Sequence, residues 1–293
     1  MTAVALRFQV GARTIASVRR RLHRTGLTLD QAMAGTMPCL PPLGDHDGHL
    51  VTSLPAALLP TLATTGRVTL VRQRYRRYWT ELSGGYDAWL AGLSGNARSG
   101  LKRKAKRLGT EGRVEYRGYR TPDEIAAFHA LARPLSALTY QERLLGSGLP
   151  DDSAAMLRAA AADRMRAWLL LLDGRPVAYL CGSAEGSALR YDHVGHDPAV
   201  SLLSPGTLLH AHAFADLFAE ERFARFDFTE GEGQHKRQFA TDGVDCVDVL
   251  LLRRTVANRA LVVALAAWDR AMAAGKRLAR DPRLKRVVER IRR

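Results

Sequence analysis

The chain of 293 residues carries a formal net charge of +15, with 46% apolar and 25% charged residues. Those shares are ordinary for a folded globular protein and exclude wholesale disorder, and the length suffices for one large domain or two modest ones. A positive excess of this size points to an anionic partner: nucleic acid, a phosphate-bearing co-substrate or an anionic membrane surface.

The N-terminal "MTAVALRFQVGARTIASVRRRLHR" holds no apolar core of signal-peptide length. The longest apolar run, Ala260 to Trp268, falls far below the roughly 18 residues of a membrane span. Cys39, Cys181 and Cys246 stand far apart with no CxxC spacing. That argues against a zinc ribbon or disulfide framework and makes a reducing cytoplasm the expected compartment.

Up to about residue 92 the chain mixes turn clusters with short strand candidates such as "GRVTLVRQRY". From Leu93 to Leu108 it turns strongly basic, with Arg98, Lys102, Arg103, Lys104, Lys106 and Arg107 and no acid. Leu101, Ala105 and Leu108 fall on one helical stripe, so a helix with a basic remainder is expected. Its cations either contact phosphates or form a solvated face. A strand "EGRVEYRGY" follows, then a helix with Thr121 as N-cap and Pro122 at its first position.

Next come "RAWLLLL" (Arg166 to Leu172), the hairpin signal Asp173-Gly174, "RPVAYLCGSA", a turn at Glu185-Gly186-Ser187 and "ALRYDHVGH". They read as an antiparallel meander of three strands. Ser204 and Pro205 then open a helix whose apolar face includes Leu208, Leu209, Phe214 and Leu217. "ARFDF" and "DCVDVLLLRR" are further strands, giving an α+β order with a helix inserted in a sheet. The segment from Arg253 to Arg293 is rich in Lys and Arg against Asp269, Asp281 and Glu289, and reads as one or two amphipathic helices. The expected division is an N-terminal α/β portion over 1–92, a core over 93–254 and a basic helical tail over 255–293.

Several clusters carry chemistry. The "SPGTLL" helix start (Ser204, Gly206, Thr207, Leu208) is either an anion site of backbone N–H groups or a plain cap. On a regular strand Tyr191, His193 and Gly195 face one side and Asp192 the other, which makes His193 a candidate general base or a hydrogen-bonded sheet residue. His210 and His212, two apart on a helix, do not share a face, which argues against a metal pair. "DHDGH" (Asp45 to His49) favours a polar turn over a metal site. "FDFTEGEGQHKRQFAT" fits neither GxxxxGK[ST], because Arg237 follows the lysine, nor GxGxxG, because Lys236 holds the third glycine's place. It remains a strand end delivering Asp227, Glu230, Glu232 and Lys236, either a reaction site or a decorated hairpin. RNP-like aromatics, zinc-finger spacing and a helix-turn-helix pattern are all missing, which weighs against nucleic acid.

"RSGLKRKAKRL", "LLLLDGRPVAYLCG", "RYDHVGHDPAV…LSPGTLLHAHAF" and "FDFTEGEGQHKRQFA" occur in this order. From about Asn96 to Ala240 the chain resembles GNAT-fold acyltransferases of the FemAB-like branch, in the group tied to cellulose and exopolysaccharide that includes bacterial ceramide synthases. The "SPG" turn and the run Asp227, Phe228, Gly231 or Gly233, Lys236, Phe239 carry it most strongly. The resemblance implies a GNAT sheet, with a second, degenerate GNAT-like half as an option for the N-terminal zone. It implies acyl transfer from a thioester, or from an aminoacyl-tRNA, to an amine or hydroxyl. Acyl-CoA is then a co-substrate held at Ser204, Gly206, Thr207 and Leu208, with no resident cofactor and no metal. The base would be Glu230, His193 or Asp227, in that order. Lys236 or a backbone N–H would meet the oxyanion, unless Lys236 holds a phosphate or pairs with Asp227. Tyr191, Asp192, His235, Arg98 and Lys102 would contact substrate. A sphingoid-type lipid amine at the inner membrane face suits the basic tail. Acetylation of an exopolysaccharide or cell-wall precursor is the alternative, and a non-catalytic basic binding protein on the same scaffold is the third reading.

Overall fold

The computed structural model describes residues 3–10, 13–62, 64–139, 148–231 and 233–280. Glu232 and residues 281–293 of the basic tail lie outside the described residues. Two compact units emerge: one from Met1–Leu27, Met37–Arg74 and Val247–Arg293, the other from Thr28–Thr36 and Tyr75–Cys246.

The first unit takes β1 (Ala3–Val10), β2 (Arg13–Gly26), β3 (Gly48–Pro55), the first part of β4 (Arg67–Glu81), the last part of β10 (Asp242–Arg253) and α8 (Val256–Arg280). β1 and β2 pair antiparallel, and β2 pairs parallel with β3 from Leu22 opposite Gly48 to Gly26 opposite Thr52. Both faces of β10 are covered, which is why it reads as a nearly unbroken apolar run. Leu250 and Leu252 pack with Leu261 and Leu265 of α8, whereas Val247, Val249 and Leu251 pack with Val51 and Leu54. Gly48 is required by close approach, since a Cβ there would stand 2.0 Å from Leu251 O. The Asp45–His49 turn brings His46 and His49 onto His23, with ring centroids 3.7 and 5.4 Å from that of His23. Among the described residues no group of His, Cys, Asp and Glu is placed to hold a metal ion.

The second unit holds α1 (Leu29–Met33), α2 (Tyr86–Gly92), α3 (Gly95–Thr110), β5 (Val114–Tyr119), α4 (Pro122–Ala137), α5 (Ala154–Ala161), β6 (Met165–Leu172), β7 (Arg175–Glu185), β8 (Ala188–His196), α6 (Pro205–Glu220), β9 (Arg225–Asp227) and α7 (Gln234–Phe239). Its strands run β4-β9-β8-β7-β6-β5. β5 to β8 are antiparallel to their neighbours, and the meander stands as expected from its turn residues. Ala167, Leu169 and Leu171 face α4 and α5, while Trp168 and Leu170 face α2, α3 and α6. The strand alternates with period two, but with apolar residues on both faces. Thr121 caps α4 through a reciprocal bond with Glu124, and Ser94 caps α3. The basic helix buries Leu101 and Leu108, as its stripe requires.

Two local readings change. "GEGQHKRQF" holds a short helix, α7, where the sequence suggested only a loop. The strand "ALRYDHVGH" is not regular: the pairing slips between Cys181 opposite His193 and Gly182 opposite Tyr191, so Asp192 is an extra residue in a bulge. Face parity flips across it. Tyr191 and Val194 pack on the α6 side, while His193 and Gly195 lie opposite Cys181 and Tyr179 of the α4 side. Tyr191 and His193 therefore do not share a face.

Candidate functional site

β8 and β9 pair in parallel over only three positions: Ala188 with Arg225, Leu189 with Phe226 and Arg190 with Asp227. β9 then ends, while its antiparallel pairing with β4 runs on through the Phe228 N–H to Tyr78 O, at 3.0 Å. From Tyr191 onward β8 has no β9 partner among the described residues, so the strands diverge into a narrow cleft filled closely by side chains of α6 and α7. Parted strands offer unpaired backbone donors beside a helix start, which suits an extended polar ligand.

The cleft wall is aromatic and imidazole-rich. Tyr191, Phe228, His210 and His235 cluster with centroid separations of 5.4 to 6.4 Å. His210 is buried, and its Nδ1 lies 2.8 Å from Gly206 O, one turn back along α6. A carbonyl only accepts, so Nδ1 carries the proton and Nε2 keeps its lone pair. Among the described residues, Nε2 of His210 and Nε2 of His235 are buried without a hydrogen-bond partner. Burial, then His235 and Lys236, lower the His210 pKa to about 3. Burial and Lys236 bring His235 to about 4. Both rings are neutral at working pH. Sequence reasoning weighed His210 only as half of a metal pair. The signal that could have found it is Gly206 four residues earlier, at the distance of one helical turn.

Lys236 is buried on α7, and its Nζ donates to Phe228 O at 2.7 Å and Glu230 O at 2.6 Å, with the Tyr191 ring 5.8 Å away. α7 is fixed because Phe239 O accepts from Trp89 Nε1 at 3.1 Å and from Thr80 Oγ1 at 2.9 Å. Asp227 does not partner Lys236. It is fully buried and bound by both nitrogens of the Arg77 fork, at 3.1 and 2.5 Å, and it also accepts from Thr229 N at 2.8 Å. An acid so held is an anchor for the strand end rather than a free base. Asp192 likewise accepts from Arg190 Nε at 2.8 Å. Arg190 reaches Glu185 at 3.3 Å, and Glu185 lies 3.7 Å from Arg77. Glu230 is exposed on the loop before α7.

Burial lowers the His193 pKa, but the ring sits on the face away from the cleft. At the start of α6, Ser204 has a left-handed backbone (φ 56°) and makes no side-chain cap. Pro205 has no N–H, and the Thr207 N–H turns in to Ser204 O at 3.1 Å. This helix start thus offers fewer outward donors than a glycine-rich loop. Leu208 faces α3 together with Arg98 and Lys102, away from the imidazoles. The structure therefore gathers Tyr191, His235 and Lys236 in one cleft and leaves His193, Asp192, Arg98 and Lys102 outside it.

The depressed histidines carry a stability consequence. His49 is also held at about 4, by burial first and then by Arg67, His23 and His46. A histidine near 6.5 when unfolded and near 4 when folded stabilises the fold above pH 6.5, and that contribution fades as pH falls to 4. Denaturant unfolding at pH 7, 5.5 and 4.5 should show a steady loss of stability; a flat profile would refute these assignments.

Residues 95–237 match the family model for an acetyltransferase (GNAT) domain, a little under half of the chain. The fold is GNAT, and the chain is an acyltransferase. Among solved structures, the chain is similar to the C-terminal domain of a candidate lysylphosphatidylglycerol synthetase from Agrobacterium fabrum. The TM-score is 0.51 at 12% identity, over 76% of this chain and 73% of that one. It also aligns with FemX (TM-score 0.49, 10% identity, 70% of this chain and 72% of that one). A third alignment is with L-PGS from Bacillus licheniformis (0.47, 13%, 74% and 71%). No curated protein matches the chain. The expected branch thus narrows to the GNAT domain itself, and the reading as a non-catalytic scaffold is dropped.

Proposed function

We propose that the chain moves an acyl group from acyl-CoA to an amine in the cleft where β8 and β9 part. The observation that carries this reading is the pair of buried imidazoles, His210 and His235, with unpartnered Nε2 atoms beside the Lys236 ammonium in that opening. The thioester carbonyl enters along the unpaired edge of β8. The amine donates a hydrogen bond to His210 Nε2, attacks the carbonyl carbon, and the tetrahedral oxyanion forms near Lys236. The C–S bond then breaks with coenzyme A leaving as the thiolate, and the amine proton passes by way of Glu230, the exposed carboxylate at the loop, to that sulfur, which departs as the thiol. His210 is too weak a base to keep that proton, which suits an orienting acceptor. Asp227 keeps the strand end in place.

For the acceptor, the reading is a lipid amine, of sphingoid type, or an envelope precursor at an anionic membrane face. The net charge of +15 and the many basic residues from Arg253 onward support it. No helix of the described residues is long and apolar enough to cross a membrane. Acetylation of exopolysaccharide or cell-wall amines is the second reading.

Thiol release tests both steps, with acetyl- and long-chain acyl-CoA against long-chain amines in anionic vesicles, amino sugars and small soluble amines. His210→Phe keeps the ring packing and removes Nε2, and should lower kcat/KM about 100-fold with an unchanged Tm. Full activity in His210→Phe would remove His210 from the mechanism. Turnover with amino sugars alone would replace the lipid reading by the envelope one.

A further inference from the structure

The second unit contains a cavity of about 370 Å³ on the far side of α6 from the imidazole cleft. Its wall is apolar: Leu90 of α2, Leu101 of α3, and Leu208 and Ala211 of α6, closed by the rings of Tyr86 and Tyr116. Arg98 and Lys102, one turn apart on α3, stand among the lining residues, and no acidic side chain lines the cavity. The Arg98 guanidinium is fixed, donating to the carbonyls of Ala91 and Leu93. Lys102 is exposed and forms no ion pair among the described residues. His212 stacks on Tyr116 at 4.3 Å and lies 3.8 Å from Asp216, which accepts from Trp168 Nε1 at 2.8 Å. Asp216 is not among the lining residues and, among the described residues, forms no ion pair with Arg98 or Lys102.

A cavity of this volume with an apolar wall and a few polar groups at one place has the build of a ligand site rather than a packing defect. An apolar wall selects a hydrocarbon, and two like charges without counter-ions select an anion. We infer that this cavity binds the alkyl chain of an anionic amphiphile, with a phosphate-type head on Lys102 and Arg98. A long-chain amine is the wrong sign for it, so the occupant differs from the amine acceptor. The inference concerns a binding equilibrium measured without turnover and stands whether or not the acyl-transfer mechanism does.

The test is titration calorimetry on the whole chain with dodecyl phosphate below its micellar concentration. Dodecyltrimethylammonium and inorganic phosphate serve as the comparison probes. Dodecyl phosphate should bind at one site, at least tenfold more tightly than the cationic amphiphile. Ala105→Trp, which puts an indole into the cavity, should abolish binding. Lys102→Glu, on an exposed helix position that tolerates the change, should weaken it about tenfold. Retained affinity in Ala105→Trp, equal affinity for the cationic amphiphile, or full displacement by inorganic phosphate would each overturn the inference. If Ala105→Trp fails to fold by circular dichroism, Lys102→Glu decides: an unchanged affinity refutes the site.

Discussion

Replacing Lys236 by methionine should lower kcat for thiol release by about 10² to 10³-fold, the usual effect of removing one preorganised donor at an oxyanion. The ammonium is buried, held by Phe228 O and Glu230 O, and faces two neutral imidazoles. It is a buried cation beside the parted strands, and methionine fills similar space without the charge. Two carbonyls lose their donor as well, so stability should fall by about 1 to 3 kcal/mol. The two effects separate when the rate is expressed per folded molecule, with folding followed by circular dichroism. A rate within tenfold of the parent on that basis would reduce Lys236 to a structural clasp.

Arg77→Met should destabilise the protein by about 3 to 5 kcal/mol, because it leaves the fully buried Asp227 carboxylate without its counter-charge. Arg77 is only 3% exposed, so water does not replace the lost guanidinium. Removing both charges, in Arg77→Met with Asp227→Leu, should recover much of the loss, since an apolar pair of similar bulk needs no desolvation. Asp227→Asn should behave as a stability variant, its rate per folded molecule staying within about tenfold. Denaturant midpoints together with thiol release make the distinction. A well-folded Asp227→Asn protein that is inactive would return Asp227 to the role of base.

How legible the molecule was in its sequence varied with the range of the interaction. The meander of β6, β7 and β8 could be read because Asp173-Gly174 and Glu185-Gly186 mark turns at short range and the strands between them are apolar. The stripe Leu101, Ala105, Leu108 placed α3 for the same reason. The bulge at Asp192 left no local trace, since one added residue keeps an alternating pattern on either side of it. That single slip moved His193 away from the cleft. The Arg77 to Asp227 pair spans 150 residues of chain, a separation no spacing rule reaches. Lys236 stood out by composition, yet its partners are backbone carbonyls, which carry no residue signature. His210 was hidden by its company: between Leu209 and Ala211 on an apolar helix it looks like core, and only the Gly206 carbonyl reveals its tautomer. Arg98 and Lys102 were sought at the reacting centre and stand instead at the second cavity.

The most direct measurement is a crystal structure of the protein with a thioether analogue of acyl-CoA, which cannot transfer its acyl group. The expected result is the pantetheine arm lying between residues 191–196 of β8 and the 228–236 segment. Its acyl carbonyl oxygen should then lie within hydrogen-bonding reach of Lys236 Nζ or a β8 N–H, with His210 Nε2 open to the acceptor side. Density for the analogue elsewhere, with this cleft empty, would contradict the proposed site.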